Sequence, residues 1–338
     1  MTHAHGGTLV VLVALFAGLL VGQIAQSTLA RPIWLRASSR ALAPRESAKL
    51  ALALLALPLG TGVAAVAATL VVPLAALVDS TRDHCEIFPL APHVCFVHGT
   101  WRVHGVVEIV AIAVLLVVVL SAVAREVRAL VTAHRRARAL LIGMDGEAAR
   151  CAIVEADARF AFAVGVAHPR IVVSRGLVDA LAPDELAAAI AHERAHIVRQ
   201  HGRARVLARV VGAFVVDAGT RRSLMRDFVH AQEREADDDA ALEVGSRALV
   251  AEALLAVLRR GHPHVPLGVP AFGGADAAAR VEALCRPPDE GRVSRALALA
   301  GICFCVVVVG LHSAIHDAAE STAGRLVDVP VHSHVHPR

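Results

Sequence analysis

The chain has 338 residues, of which 56% are hydrophobic, and its mean hydropathy is +0.58. An ordinary soluble enzyme is excluded, because such proteins contain about 45–50% apolar residues. The formal net charge is only +4, and many arginines lie beside apolar blocks, so the charge pattern indicates orientation in a membrane rather than nucleic-acid binding.

Four apolar blocks have about the length, some 20 residues, that a helix needs to cross a bilayer. We expect transmembrane helices at about 8–30, 50–78, 106–124 and 296–315. The first block is predicted to be a retained helix and not a signal peptide, because no Lys or Arg precedes it and basic residues follow it. The second contains Pro58 and Pro73, so it is expected to tilt or kink.

Basic residues cluster after the first block and after the third, and they recur just before the fourth. The positive-inside rule then predicts a multi-pass plasma-membrane protein with both termini extracytoplasmic. The predicted parts are a membrane domain at 1–124, a cytoplasmic catalytic domain at 125–295, the fourth helix at 296–315 and a short extracytoplasmic tail at 316–338.

Two features fall on the predicted outer side of the membrane. Cys85 and Cys95 lie in the loop between the second and third blocks, where a disulfide between them could persist. The tail carries His332, His334 and His336, and whether these histidines bind a metal is left open.

The chemistry lies in the predicted cytoplasmic domain, in the HExxH run from His192 to His196. A helix is predicted to begin near Pro183, with acids in its first turn, and to stop at Gly202. The i and i+4 spacing places His192 and His196 on one face, where they can share a Zn²⁺. Glu193 is the predicted general base, which takes a proton from the zinc-activated water that attacks a peptide carbonyl.

A catalytic zinc site needs a third protein ligand. The acidic stretch 228–239 is predicted to be a second helix. In it Glu233 would complete a His₂Glu site, and Asp237 would orient a ligand imidazole. Glu235 with Asp239 is the alternative pair, shifted by two residues.

His201 is a further histidine close to the motif. It follows His196 by five residues, which is about 140° round a continuous helix. No glycine precedes it to supply the turn that places a third histidine in some zinc peptidases. We therefore do not expect His201 to bind the metal.

Upstream of the zinc helix, alternating and β-branched residues predict strands at 160–166 and 170–174. With these strands and the HExxH run in place, Glu233-x-x-Ala236-Asp237 resembles the ExxAD element of the integral-membrane peptidase families M56 and M48. The resemblance implies that Glu233 is the third zinc ligand. It also implies that the first strand binds substrate by strand addition, through Phe162, Ala163, Val164 and Gly165.

The layout is more similar to the M56 family, the BlaR1/MecR1 type, than to M48. M48 proteins of the HtpX type tend to place membrane spans between the zinc helix and the third ligand, whereas Val206–Val216 is too short to span. The chain departs from BlaR1 and MecR1 in lacking room for an extracellular penicillin-binding sensor after the last span. Arg280 to Leu284 are similar to the element that follows the zinc site in both families.

The expected fold is therefore an α-rich integral membrane protein with four transmembrane helices and a cytoplasmic zincin-like α+β metallopeptidase domain between helices 3 and 4. We expect one zinc ion per chain, a lipid bilayer as surroundings, a protein or peptide substrate and no direct nucleic-acid binding. The resemblance implies regulated proteolysis in signal transduction, acting on a BlaI-type transcriptional repressor or on the chain itself. The alternatives are a quality-control protease of the M48 type and a non-catalytic transducer with a structural zinc.

The group that stabilises the oxyanion is left open by the sequence. Many zinc peptidases use a Tyr or His donor for this purpose, and the chain contains no Tyr. The candidates are His230, Arg234 and Arg280.

Overall fold

The computed structural model describes residues 7–30, 43–78, 94, 106–141, 151–165, 169–259, 277–286 and 312–326. The predicted disulfide between Cys85 and Cys95, residues 296–311 of the predicted fourth span and the histidines at 332, 334 and 336 lie outside these residues. The predicted count of four spans is therefore not confirmed.

Three long apolar helices are described: α1 (Gly7–Ala25, followed by a π-helical turn at Gln26–Ala30), α2 (Pro44–Ala76) and α3 (Val106–Leu141). By length and composition, each contains a segment able to cross a membrane, and these are the candidate spans within the described part of the chain. Among the side chains that the structure describes in residues 109–129 of α3, none is buried, as expected for an apolar helix surrounded by lipid. The predicted domain boundary at residue 124 lies inside this helix.

Helix α2 contacts the apolar helix α1 and also the segment 151–259, which carries the HExxH run. Its 33 residues extend about 50 Å, which exceeds the roughly 30 Å hydrocarbon core of a bilayer. Its first half packs Ala51 and Leu55 into a core shared with Val211, Leu224 and Phe228. The rest of the helix, residues 58–76, has a length close to the thickness of the hydrocarbon core.

Pro58 does not break α2, because another element supplies the missing hydrogen bond. A proline has no N–H, so the carbonyl four residues earlier loses its helical donor. That carbonyl belongs to Leu54, and it accepts a hydrogen bond from Gln26 Nε2 at 2.7 Å. Gln26 is buried, so the pair satisfies two polar groups that water does not reach.

Pro73 is accommodated in the same way from the other end of the chain. The carbonyl it leaves without a helical donor belongs to Thr69, and Nδ1 of the buried His316 lies 3.1 Å from that oxygen. His316 is part of α10 (His312–Leu326), which packs Ala319 and Ala323 against the start of α1. The region predicted to be a short tail from residue 316 is thus helical as far as residue 326.

A small sheet precedes the helix that carries the HExxH run. It consists of β1 (Cys151–Val154), β2 (Ala161–Val164) and β3 (Arg170–Ser174), in the order β1-β3-β2. β1 is parallel to β3 and β2 is antiparallel to it, so β2 lies at an edge of the described sheet. β2 and β3 correspond to the two predicted strands, whereas β1 was not predicted.

The remaining described helices are α4 (Arg175–Val178), α5 (Pro183–Val198), α6 (His201–Gly212), α7 (Ala218–Val244), α8 (Arg247–Arg259) and α9 (Ala277–Leu284). α5 begins at Pro183 as predicted, and Glu185 accepts the N–H of Ala182 to cap it. The predicted stop at Gly202 is wrong. α5 ends at Val198, and Gln200 takes a left-handed conformation with φ 55°, after which α6 starts.

Small side chains let helices α5 and α7 approach each other closely. Ala188 and Ala189 of α5 and Ala240 of α7 are fully buried, in one core with β3 and α8. Alanine at such contacts brings two helix backbones near each other without loss of helix propensity. This close approach sets the distance between the predicted zinc ligands on α5 and α7.

Candidate metal centre

His192 and His196 on α5 and Glu233 on α7 converge on one point. The Nε2 atoms of the two histidines lie 3.1 Å apart. Glu233 carboxylate oxygens lie 3.4 Å from His192 Nε2 and 3.5 Å from His196 Nε2. All three residues are more than nine-tenths buried. They are the group that could hold a metal ion in the described part of the chain.

The spacing of these atoms fits zinc. A tetrahedral zinc with bonds of about 2.0–2.1 Å separates its ligand atoms by about 3.3 Å, and the three separations here bracket that value. Two imidazoles and one carboxylate form the donor set of many catalytic zinc sites, in which a fourth position stays open. The donor chemistry and the geometry therefore agree.

The outer nitrogen of His192 faces Asp237. His192 Nδ1 lies 2.9 Å from Asp237 Oδ1, so the carboxylate fixes the tautomer in which Nε2 points at the metal position. Burial by itself lowers the pKa of His192, but the bonds to Asp237 and Glu233 outweigh burial and raise it to about 9. In the metal-free protein this imidazole is thus protonated at neutral pH.

His196 is in the opposite electrostatic state. Burial lowers its pKa to about 3, so its imidazole is neutral. Its outer nitrogen, Nδ1, lies 2.7 Å from Nδ1 of His201. His201 is therefore next to the site although it does not face the metal position, as the sequence analysis expects for a residue that is not a ligand.

Glu233 is held by two arginines as well as by the histidines. Arg205 Nη2 donates to its Oε1 at 2.8 Å, and Arg280 Nη1 lies 3.3 Å from its Oε2. Burial raises the pKa of Glu233, but bonds from His192 and His196 hold it well below its usual range. The third predicted ligand is thus ionised and fixed in direction.

Arg280 links the two carboxylates of α7. Its Nε and Nη2 donate to Asp237 at 2.8 and 2.6 Å, and its side chain is 1% exposed. This bidentate pair lowers the pKa of Asp237 to about 2 against the effect of burial. Because both carboxylates already engage Arg280, the structure argues against it as the oxyanion donor.

Glu193 is buried beside the metal position. Burial raises its pKa to about 7, which suits a general base working near neutral pH. Its Oε2 accepts a hydrogen bond from the backbone N–H of Ala163 at 2.9 Å. The predicted base and the predicted substrate strand are therefore in direct contact.

The alternative acidic pair lies elsewhere. Asp239 forms a bidentate pair with Arg199 at 2.6 and 2.8 Å, and Glu235 faces His201 and the same arginine. Neither contacts the metal position, so Glu233 and Asp237 form the inward-facing pair.

Arg205 and His201 were not recognised as site residues from the sequence. They lie four residues apart on the buried face of α6, together with Ala208 and Gly212. The available signal was the charged Arg205 on a face whose other members beyond His201 are small or apolar. This face could not be identified from the sequence, because its composition depends on α6 starting at His201.

Residues 121–262 match the family model of peptidase family M48. No curated protein and no solved structure matches the chain.

The M48 match covers the second half of α3, the sheet, α5 with the HExxH run and α7 with Glu233 and Asp237. It supports a metallopeptidase, and family M48 is typically zinc-dependent. The resemblance to M56 is not confirmed, whereas the second choice of the sequence analysis agrees with the match. Three apolar helices in the same chain suggest a membrane-associated protein.

Proposed function

We propose that the protein is a membrane-bound zinc endopeptidase with His192, His196 and Glu233 as metal ligands and Glu193 as general base. The observation that carries this proposal is the position of Glu193. Its carboxylate is buried beside the predicted metal ligands and accepts a hydrogen bond from the edge strand β2. A structural zinc site would need neither a base nor a strand at that position.

The chemistry follows from the groups around this point. Zinc held by the three ligands would polarise the scissile carbonyl and lower the pKa of the attacking water. Glu193 would take the proton from that water and deliver it to the departing amine. Asp237 and Arg280 keep His192 in the required tautomer, and Arg205 with Arg280 keeps Glu233 in place.

The substrate would bind as an extended strand along β2. The main-chain groups of Ala163 that do not face β3 point towards Glu193. Successive residues of a strand alternate in direction, so Ala161 and Ala163 of β2 face the edge that β3 does not pair. A polypeptide paired with that edge would carry its peptide bonds past the base and the metal ligands.

The membrane helices would confine the site to the neighbourhood of the bilayer. Helices α6 and α7 pack on the first half of α2. Gln23 near the end of α1 accepts a hydrogen bond from the N–H of Val216 at 3.3 Å. Basic residues cluster in the segments next to these helix ends. By the positive-inside rule, the site faces the cytoplasm.

A comparison of the wild type with Glu193→Gln tests the proposal. Both proteins, purified in detergent, should contain about one zinc per chain, because the substitution removes the base and leaves the ligands. Only the wild type should cleave casein or its own chain. Equal cleavage by both proteins, or a wild type without zinc, would contradict the proposal.

The finer role is either regulated proteolysis or quality control. Regulated proteolysis would cut a BlaI-type repressor or the chain itself at one or two bonds. The M48 match favours the second candidate, a quality-control protease that cuts unfolded proteins at many bonds. Mass spectrometry of the fragments that appear with the wild type and not with Glu193→Gln separates the two.

A further inference from the structure

The two predicted histidine ligands are supported by different groups. Nδ1 of His192 contacts the carboxylate of Asp237. Nδ1 of His196 instead contacts another imidazole, because Nδ1 of His201 lies 2.7 Å from it. His201 is 3% exposed. Its second ring nitrogen, Nε2, lies 3.3 Å from Oε2 of Glu235.

The proton positions along this line are consistent with metal binding. Nε2 of His196 faces Glu233 and His192, so to bind a metal it must lack a proton, which then resides on Nδ1. Nδ1 of His201 must then accept the hydrogen bond that the Nδ1–H group of His196 donates. The proton of His201 therefore sits on Nε2, where it donates to the carboxylate of Glu235.

Glu235 also faces two arginines. Its Oε1 lies 3.6 Å from Nε of Arg199 and 4.0 Å from Nε of Arg45, which leaves Oε2 for His201. Arg45 belongs to the first turn of α2. The line of contacts thus runs from His196 to the start of the helix that enters the apolar bundle.

The break between α5 and α6 makes this contact geometrically available. On a continuous helix His201 would point about 140° away from His196. Gln200 instead has φ 55° and ψ 34°, and α6 begins at His201. The turn places the first side chain of α6 against the imidazole at the end of α5.

We propose that His201 and Glu235 are positioning residues of the metal centre, which hold His196 in the tautomer and orientation that direct Nε2 at the zinc. The inference rests on the proposed zinc site of His192, His196 and Glu233. It assigns a role in metal affinity to two side chains that do not touch the metal. Partners of this kind commonly change metal affinity or activity by about 10–100-fold when they are removed.

The test is the zinc dissociation constant of the full chain in detergent, measured by competition with a chelator of known affinity. His201→Leu should weaken zinc binding by about 10–100-fold, and Glu235→Leu by a smaller factor. His201→Gln should restore part of the loss, because its amide oxygen can accept from His196 and its NH₂ can donate to Glu235. Arg226→Gln, an exposed change on α7, the helix that carries Glu235, is the control and should bind zinc as the wild type does.

The absorption spectrum of the cobalt-substituted protein distinguishes a change at the metal site from a general loss of stability. The visible absorption bands of bound Co²⁺ report the geometry of its ligands, so His201→Leu should change their position or intensity and Arg226→Gln should not. Glu235 lies nearer the surface than His201, so Glu235→Leu keeps the test decisive if His201→Leu does not fold.

Wild-type affinity and an unchanged cobalt spectrum in both His201→Leu and Glu235→Leu would overturn the inference while leaving the peptidase proposal intact. A wild type that binds no zinc would instead contradict the proposed function itself.

Discussion

Zinc binding should release a proton from His192. The pKa of this imidazole is raised to about 9 in the metal-free protein, and only the neutral imidazole can bind a metal. Below pH 9 zinc must therefore displace one proton from each chain. The apparent affinity should rise about tenfold for each pH unit between pH 7 and 9, which is about 2.7 kcal/mol over the two units.

Titration calorimetry in two buffers with different ionisation enthalpies counts these protons. Glu193→Gln is the right background, because the pKa of Glu193 is also raised, to about 7, and its proton would add to the count. At pH 7.5 this variant should release about one proton per zinc. Heats that do not depend on the buffer would refute the reasoning.

A second substitution tests the cause. The bond to Asp237 is the largest of the effects that raise the pKa of His192. Adding Asp237→Asn should therefore lower this pKa, and fewer protons should be released per zinc at the same pH. An unchanged proton count in the double variant would show that Asp237 does not control His192.

Three further predictions concern Gln26, Glu193 and Gln200. Gln26→Leu should destabilise the detergent-solubilised protein by about 1–3 kcal/mol, because the Leu54 carbonyl loses its donor, and by less when Pro58→Ala restores a backbone N–H. The acid limb of the pH profile of kcat/KM should lie at or below pH 7, since Glu193 must be ionised and a zinc charge would lower its pKa from the raised value of about 7. Gln200→Gly should leave stability unchanged or raise it by up to about 1 kcal/mol, whereas Gln200→Val should lower it, because a β-branched residue resists the left-handed conformation.

Each of these has an outcome that contradicts it. For Gln26, it is an equal loss of thermal stability with and without Pro58→Ala. For Glu193, it is an acid limb well above pH 7, which would assign the limb to another group. For Gln200, it is a glycine variant as unstable as the valine variant.

Helix α2 supplies part of the core on which the helices of the segment 151–259 pack. Residues of its first half share a core with α6 and α7, and α7 carries Glu233 and Asp237. The segment predicted as a separate domain at 125–295 therefore lacks part of the apolar surface on which its own ligand helix rests. The candidate membrane helix α2 and the helix that carries Glu233 are thus connected through the side chains of this shared core.

The sequence by itself determined the parts of the protein whose cause is local. The HExxH spacing places two imidazoles on one helical face whatever surrounds them, and Pro183 with the acids after it marks the start of α5. Length and hydropathy mark α1, α2 and α3 as apolar helices. The alternation at 161–164 and 170–174 marks β2 and β3.

Only the tertiary structure decided which distant groups meet these local elements. It turned Glu233 and not Glu235 towards the histidines, because the helix phase of α7 depends on the alanines that pack it against α5. It brought His201 back to His196 through a left-handed Gln200, a conformation that no local signal predicts for glutamine. It also matched Gln26 and His316 to the carbonyls that Pro58 and Pro73 expose. Such pairings depend on contacts between residues far apart in the chain, and the periodicity of a sequence carries no information about them.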